Sequence, residues 1–211
     1  MKTNIRMSLF SKLIRAVSAA LILSLMVSFC GFSGKCTQIR ERVLRLHVIA
    51  NSDNKQDQHL KLKVRDTVIE TAANLFDTAK NEKEAAEQAG LRMAEIQAAA
   101  QQRVYDEGYD YSVKAELCEM YFTTRRYENI TLPAGMYEAV RIRIGEGKGK
   151  NWWCVVFPPI CLSAASEAAE ISDVLEPEQE EIVTQPQKYE VRFKIVEVFE
   201  DIKGKLNTWF S

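Results

Sequence analysis

The side chains that could carry chemistry are few and concentrated. Residues 147–161 read GKGKNWWCVVFPPIC, with two tryptophans, two cysteines and a glycine-alternating lead-in. Cys154 and Cys161 could close a disulfide, lie buried as free thiols, or form a reactive or metal-binding pair, and their spacing leaves all three open. A disulfide over so short a loop would add about 2.5 kcal/mol through loop entropy. The only histidines are His47 and His59. A zinc site made from them and the cysteines needs ligand pairs at spacings such as C-x2-C or H-x3-H, and the chain offers no such pair. His47 reads instead as a histidine at a core edge, and His59 as one on a helix surface.

Two phosphate-binding comparisons fail on the loop IGEGKGKN at 144–151. A P-loop requires glycine where Ile144 stands and a hydroxyl residue where Asn151 stands. A dinucleotide fingerprint requires a third glycine three residues after the second and a helix beyond it, whereas a strand follows here. The glycines suit a flexible hairpin loop. Nucleophilic catalysis would call for a G-x-S-x-G elbow or a local Cys–His signature, and neither occurs. His47, Asp53 and Cys154 are the one compact set from which an exported hydrolase could be built. The expectation is a protein that is not an enzyme and that uses no cofactor, metal or small-molecule substrate.

Strands and helices must hold these residues. RVLRLHVIAN (42–51) alternates Val43, Arg45, His47 and Ile49 with Leu44, Leu46 and Val48, which predicts a strand with one apolar and one mixed face. It stops at NSDN (51–54), where Ser52 or Asp53 can cap the next helix by accepting an orphan amide. The stripe Val64, Val68, Ala72 and Leu75 predicts that helix over Lys55–Ala79. A second helix, Glu82–Tyr105, has an alanine-rich face, and the short Lys80–Asn81 connection folds the two into an antiparallel hairpin. Strands follow at 111–122 and 136–145, the second entered through the turn LPAG at 132–135. WWCVVFP is apolar on both faces, which predicts a central strand ended by Pro158–Pro159. Asn151 is the candidate partner for a buried indole N–H.

Ahead of this domain, Lys2, Arg6, Lys12 and Arg15 precede AVSAALILSLMVSF at 16–29, the layout of a secretory signal peptide. Cleavage after Cys30 or Ser33 would leave small residues at −1 and −3. An uncleaved anchor is the alternative, since about 17 apolar residues is the short end of a membrane span. Charged residues make up 27% of the chain and apolar ones 46%, as in a globular domain. Without residues 1–33 the chain keeps 24 basic and 29 acidic residues, and it has no basic stripe interleaved with aromatics, which argues against nucleic-acid binding. Thiols can oxidise outside the cytoplasm, and Cys36, Cys118, Cys154 and Cys161 allow three pairings.

The C-terminal part changes character. Residues 163–187 hold seven acidic residues, two prolines and no base, so 163–188 reads as an acidic flexible linker, partly helical at most. In 189–211, Val191, Phe193 and Ile195 alternate like a strand, while Phe199, Ile202, Leu206 and Trp209 step like a helix. The expected organisation is a signal peptide or anchor at 1–33, a domain at 40–162, the linker, and a strand with a short amphipathic helix that returns to the domain. The expected fold is α+β, a mostly antiparallel sheet packed against a helical hairpin.

LRLHVIANSDNKQDQHLKLKVRD (44–66) and LPAGMYEAVRIRIGEGKGKNWWCVVFPPIC (132–161), taken with the export signal, resemble the stage II sporulation protein R family. The terminal VRFKIVEVFEDI adds a short further match. The resemblance implies a signal exported from the forespore into the space between the septal membranes. There it would trigger a membrane-embedded aspartic protease of the mother cell, which processes a pro-sigma factor. On this reading the partner-facing surface comprises Asn51, Ser52, Asp53, Asn151, Trp152 and Trp153. The competing reading is structural: Asn51 and Asp53 cap a helix and the tryptophans are core. An exported hydrolase and a structural envelope protein are the other classes.

Overall fold

A computed structural model describes residues 2–75, 78–127, 130–158 and 174–210, and the fold is α+β. Four strands, β1 (Leu44–Ile49), β2 (Val113–Phe122), β5 (Gly135–Ile144) and β6 (Asn151–Phe157), form one sheet in the order β2-β5-β1-β6. The short β3 (Arg125–Tyr127) and β4 (Ile130–Leu132) form a separate antiparallel pair. Two of the three contacts in the main sheet are antiparallel, and β1 with β5 is parallel.

Side-chain alternation gives this sheet two buried faces. Leu44, Leu46 and Val48 of β1 join Val140, Ile142 and Ile144 of β5 on one face. It is covered by α2 (Lys55–Leu75), α3 (Glu82–Leu91) and α4 (Met93–Asp106), through Leu60, Val64 and Val68, Ala85 and Ala89, and Ile96, Ala100 and Val104. The expected second helix is therefore two pieces. They meet at Arg92, which leaves helical geometry (φ −106, ψ 13), just past Gly90, a residue type at which helices commonly kink. The opposite face carries Val43, Tyr137, Ala139 and Val155. The C-terminal part of α1 (Lys2–Arg40), the β3–β4 pair, α5 (Pro177–Thr184) and α6 (Pro186–Phe210) cover it.

Four expectations are corrected by this arrangement. Among the described residues WWCVVFP is an edge strand, not a central one, since β6 pairs there only with β1. Its two apolar faces reflect the two covering layers. Phe157 also shares the face of Cys154 and Val156, because a bulge sets Leu44 opposite Phe157 and Arg45 opposite Val155. The 145–150 segment is not a hairpin loop, because β1 lies between β5 and β6. Residues 189–195 form no strand, since α6 is one continuous helix; Phe193, Val196 and Glu200 are its buried positions, a helical 3-and-4 step that overrides the short alternation. The linker expectation fails for 174–188, where α5 buries Gln179, Ile182 and Val183; its remainder, 163–173, lies outside the described residues.

The N-terminal apolar segment is one helix, exposed along residues 13–27 and apolar enough to cross a membrane. A boundary at residue 33 falls within it, and beyond Phe29 it packs on the domain through Phe32, Cys36 and Ile39.

Candidate functional site at one end of the sheet

The six residues singled out for partner binding meet at one end of the sheet. The reason is topological. β5 and β6 run in opposite directions on either side of β1, so residues 145–150 must arch over the end of β1 and cross the NSDN turn that follows it. The two segments are laced by their backbones. The Gly149 N–H donates to the Ala50 carbonyl (2.9 Å) and the Lys148 N–H to the Asn51 carbonyl (3.1 Å). Asn51 Oδ1 accepts from the Glu146 N–H (3.0 Å), and Asp53 Oδ1 from the Lys150 N–H (2.6 Å).

The glycine alternation serves this crossing. Gly145 takes φ +54, where L side chains are strained, and a Cβ there would sit 2.3 Å from Asn51 Oδ1. At Gly149 the constraint is contact: a Cβ would lie 2.2 Å from the Ser52 carbonyl oxygen.

The helix cap is not where it was expected. Asn54 caps α2, its Oδ1 accepting from the Asp57 N–H (2.6 Å), so Asp53 is free to hold the arch. Sequence reasoning missed Asp57. Its carboxylate, 1% exposed, accepts from Asn51 Nδ2 (2.9 Å) and Ser52 Oγ (2.7 Å). Burial works against this carboxylate, but the hydrogen bonds from Ser52 and Asn51 outweigh it and hold its pKa below the ordinary value. The spacing Asn54-x-x-Asp57 before an apolar stripe was the available signal. Lys61, also buried, donates from Nζ to the Lys150 carbonyl (2.9 Å) and ties α2 to the arch.

Below the arch, the tryptophans divide. Trp152 is 36% exposed, with the Arg65 guanidinium 4.3 Å over its ring. Trp153 is half-buried and stacks on His47 at 3.9 Å, nearly parallel, with the Phe122 ring edge-on at 4.8 Å. Asn151 serves His47 rather than an indole, its side-chain amide lying 2.9 Å from Nε2. Burial pushes the His47 pKa below its ordinary value, against the bond to Asn151.

Deeper on the same face lies Arg45, fully buried. It donates to the Cys154 carbonyl (3.1 Å) and to the Tyr127 hydroxyl (2.5 Å), and it lies 4.2 Å over the Phe122 ring. Aromatic faces and carbonyl oxygen hold this charge, and Nη1 has no hydrogen-bond partner among the described residues.

His47, Asp53 and Cys154 do not converge on a reaction centre. His47 faces Trp153, Asp53 is spent on the Lys150 amide, and Cys154 points to the other face of the sheet. Cys154 is disulfide-bonded, whereas Cys30, Cys36 and Cys118 are free thiols; Cys161, its expected partner, lies outside the described residues. The groups near the arch can hold loops together and present Trp152, Arg65 and the polar turn to a partner.

A family model described as stage II sporulation protein R matches residues 40–167. The chain is similar to Stage II sporulation protein R of Bacillus subtilis (strain 168), 38% identical over 123 residues, which is 58% of this chain and 55% of that protein. The chain thus matches about half the length of this curated relative. No solved structure matches.

Proposed function

Because the chain belongs to the stage II sporulation protein R family and so acts in sporulation, we propose that it is the exported signal that switches on a membrane-embedded aspartic protease in the mother cell. The forespore makes it, it enters the space between the septal membranes, and the protease it activates processes a pro-sigma factor. The observation that carries this reading is the family match, which spans the sheet domain and both laced loops. The separation of His47, Asp53 and Cys154 favours a ligand over a hydrolase.

The domain's packing favours an uncleaved anchor. Phe29 packs against Phe199, and Phe32, 4% exposed, packs against Tyr189 and Phe193, so cleavage after Cys30 would remove the first contact and cleavage after Ser33 would remove all of them. The surface offered to the protease is the sheet end with Trp152, Asp53 and the arch.

The test is reconstitution. The full chain is co-expressed with the candidate protease and pro-sigma factor in a non-sporulating host, and processing is scored by immunoblot at matched exported levels. Wild type should give processing. Trp152→Ala should lose it with the fold intact, and Cys154→Ser/Cys161→Ser should lose it if the disulfide holds the active form. No processing by wild type, with a protease shown to be competent, overturns the signalling reading.

A further inference from the structure

The helix α6 is apolar on two opposite sides. One side, Phe193, Val196 and Glu200, is buried against α1 and the sheet, with Glu200 paired to Arg40 at 3.2 Å. The other carries Val191, Ile195, Val198, Ile202 and Leu206, each 49–73% exposed and stepping by 4, 3, 4 and 4 residues. Phe199, 46% exposed, borders this stripe. A continuous apolar stripe of this length on a soluble surface marks an interaction site.

Its place beside α1 says what covers it. Residues 16–34 contain no charged residue; as helix they extend about 28 Å, close to the thickness of the hydrocarbon layer. The helix α6 crosses α1 inside that stretch, at Phe29 and Phe32, within about 8 Å of its end at 1.5 Å per residue. The order of contacts sets the orientation. Phe199, from the edge of the exposed stripe, meets Phe29 (5.6 Å), the contact nearest the bilayer centre. Phe193, from the buried side, meets Phe32 (5.6 Å) one turn further out. Glu200, also from the buried side, reaches Arg40 at the far end. The exposed side of α6 is therefore turned toward the bilayer.

From this geometry we infer that α6 lies in the membrane interface, its Val191–Leu206 stripe seated among headgroups and upper acyl chains. Such helices bury their apolar face about 5–10 Å into this zone. The inference rests on α1 remaining in the membrane. With five basic and four acidic residues in Pro186–Phe210, attachment comes from apolar burial and depends little on anionic lipid. Together α1 and α6 fix the domain by two elements, so the sheet cannot swivel freely about a single tether.

The test uses the full chain in phosphatidylcholine vesicles, with an environment-sensitive fluorescent amino acid placed singly at Leu21, Val198, Ile202 or Asp201. Quenching by lipids with a doxyl group at the acyl 5-position reads contact with the bilayer. Leu21, Val198 and Ile202 should each be quenched several-fold more than Asp201. If Leu21 is quenched while Val198 and Ile202 match Asp201, the interfacial position of α6 is overturned and the anchor stands. If Leu21 is also unquenched, the anchor reading fails and takes this one with it. Emission at Val198 that turns blue only as the protein-to-lipid ratio rises, without quenching, would assign the stripe to a second copy and overturn the proposal.

Discussion

Gly149→Ala probes the crossing of the two loops directly. Ordinary van der Waals contact for a Cβ begins near 3.4 Å, and here the new atom would lie 2.2 Å from the Ser52 oxygen and 2.6 Å from its carbonyl carbon. Both are backbone atoms, so no rotamer change relieves the overlap and the arch must lift by more than an ångström. Lifting breaks the hydrogen bonds donated by the Lys148, Gly149 and Lys150 amides. At about 1 kcal/mol each, the loss is about 3 kcal/mol, similar to the cost of tolerating an overpacked contact, about 1–3 kcal/mol. For a chain of this size that lowers Tm by roughly 6–12 °C. Hydrogen exchange gives the residue-level readout: protection of those three amides should fall roughly hundredfold at 1.4 kcal/mol per decade. Full-chain protein in detergent serves for both measurements. A Tm within 2 °C of wild type, with the three amides still protected, would refute the close crossing.

Three further outcomes follow from the electrostatics. Asp57→Ala should cost about 2–4 kcal/mol at pH 7, because it leaves Asn51 Nδ2 and Ser52 Oγ without their buried acceptor. Its folded pKa is lowered, so the wild-type advantage in urea midpoint should shrink as pH falls below the ordinary carboxylate value and through the folded one. Burial lowers the folded pKa of His47, so its neutral form supports the fold above the unfolded pKa and that support is lost as pH falls; His47→Gln should flatten the decline in stability from pH 7 to 5. Glu82, 7% exposed, has its pKa pushed up to about 7 by burial and by a hydrogen bond with Glu138. The native state therefore resists ionising it. Stability falls as pH rises from about 4.5 to 7, and Glu82→Gln should match wild type at about pH 4 but exceed it at about pH 8 by on the order of 1–2 kcal/mol after screening, as read from denaturant midpoints.

The local elements were legible because their signals are local. Val64, Val68 and Ala72 mark α2 by spacing alone, and Leu44, Leu46 and Val48 mark β1. What failed was long-range. Consecutive strands usually pair, so the glycine segment reads as a hairpin, and nothing local reports that β1 intervenes from far upstream in the chain. An apolar strand tells how many layers cover it, not how many strands flank it, which is why β6 reads from sequence as a central strand. Among Ser52, Asp53 and Asn54, each chemically able to cap, the arch decided by claiming Asp53 for Lys150. The candidate site was legible as a set of residues, but the roles of Asp57, Lys61 and Arg45 depend on partners that only the assembled sheet supplies. In 189–196 the two periodicities overlap over too few residues to separate, and burial of Phe193, Val196 and Glu200 resolves them in favour of the helix.

The interior position of β1 has a kinetic consequence. Arg45 pairs with Ala139 on one side and Val155 on the other, so the strand nearest the N-terminus waits for the last strands of the sheet before it has neighbours. A chain threaded across a membrane N-terminus first cannot complete this domain until residue 157 has emerged. Closing loops of such length slows folding, which would keep an exported chain threadable during passage. In an exported chain the laced loops, formed by the meeting of residues 50–53 with 146–150, would come into being only on the far side. On the export proposed above, the protein would be inert where it is synthesised and would take its working shape only after delivery.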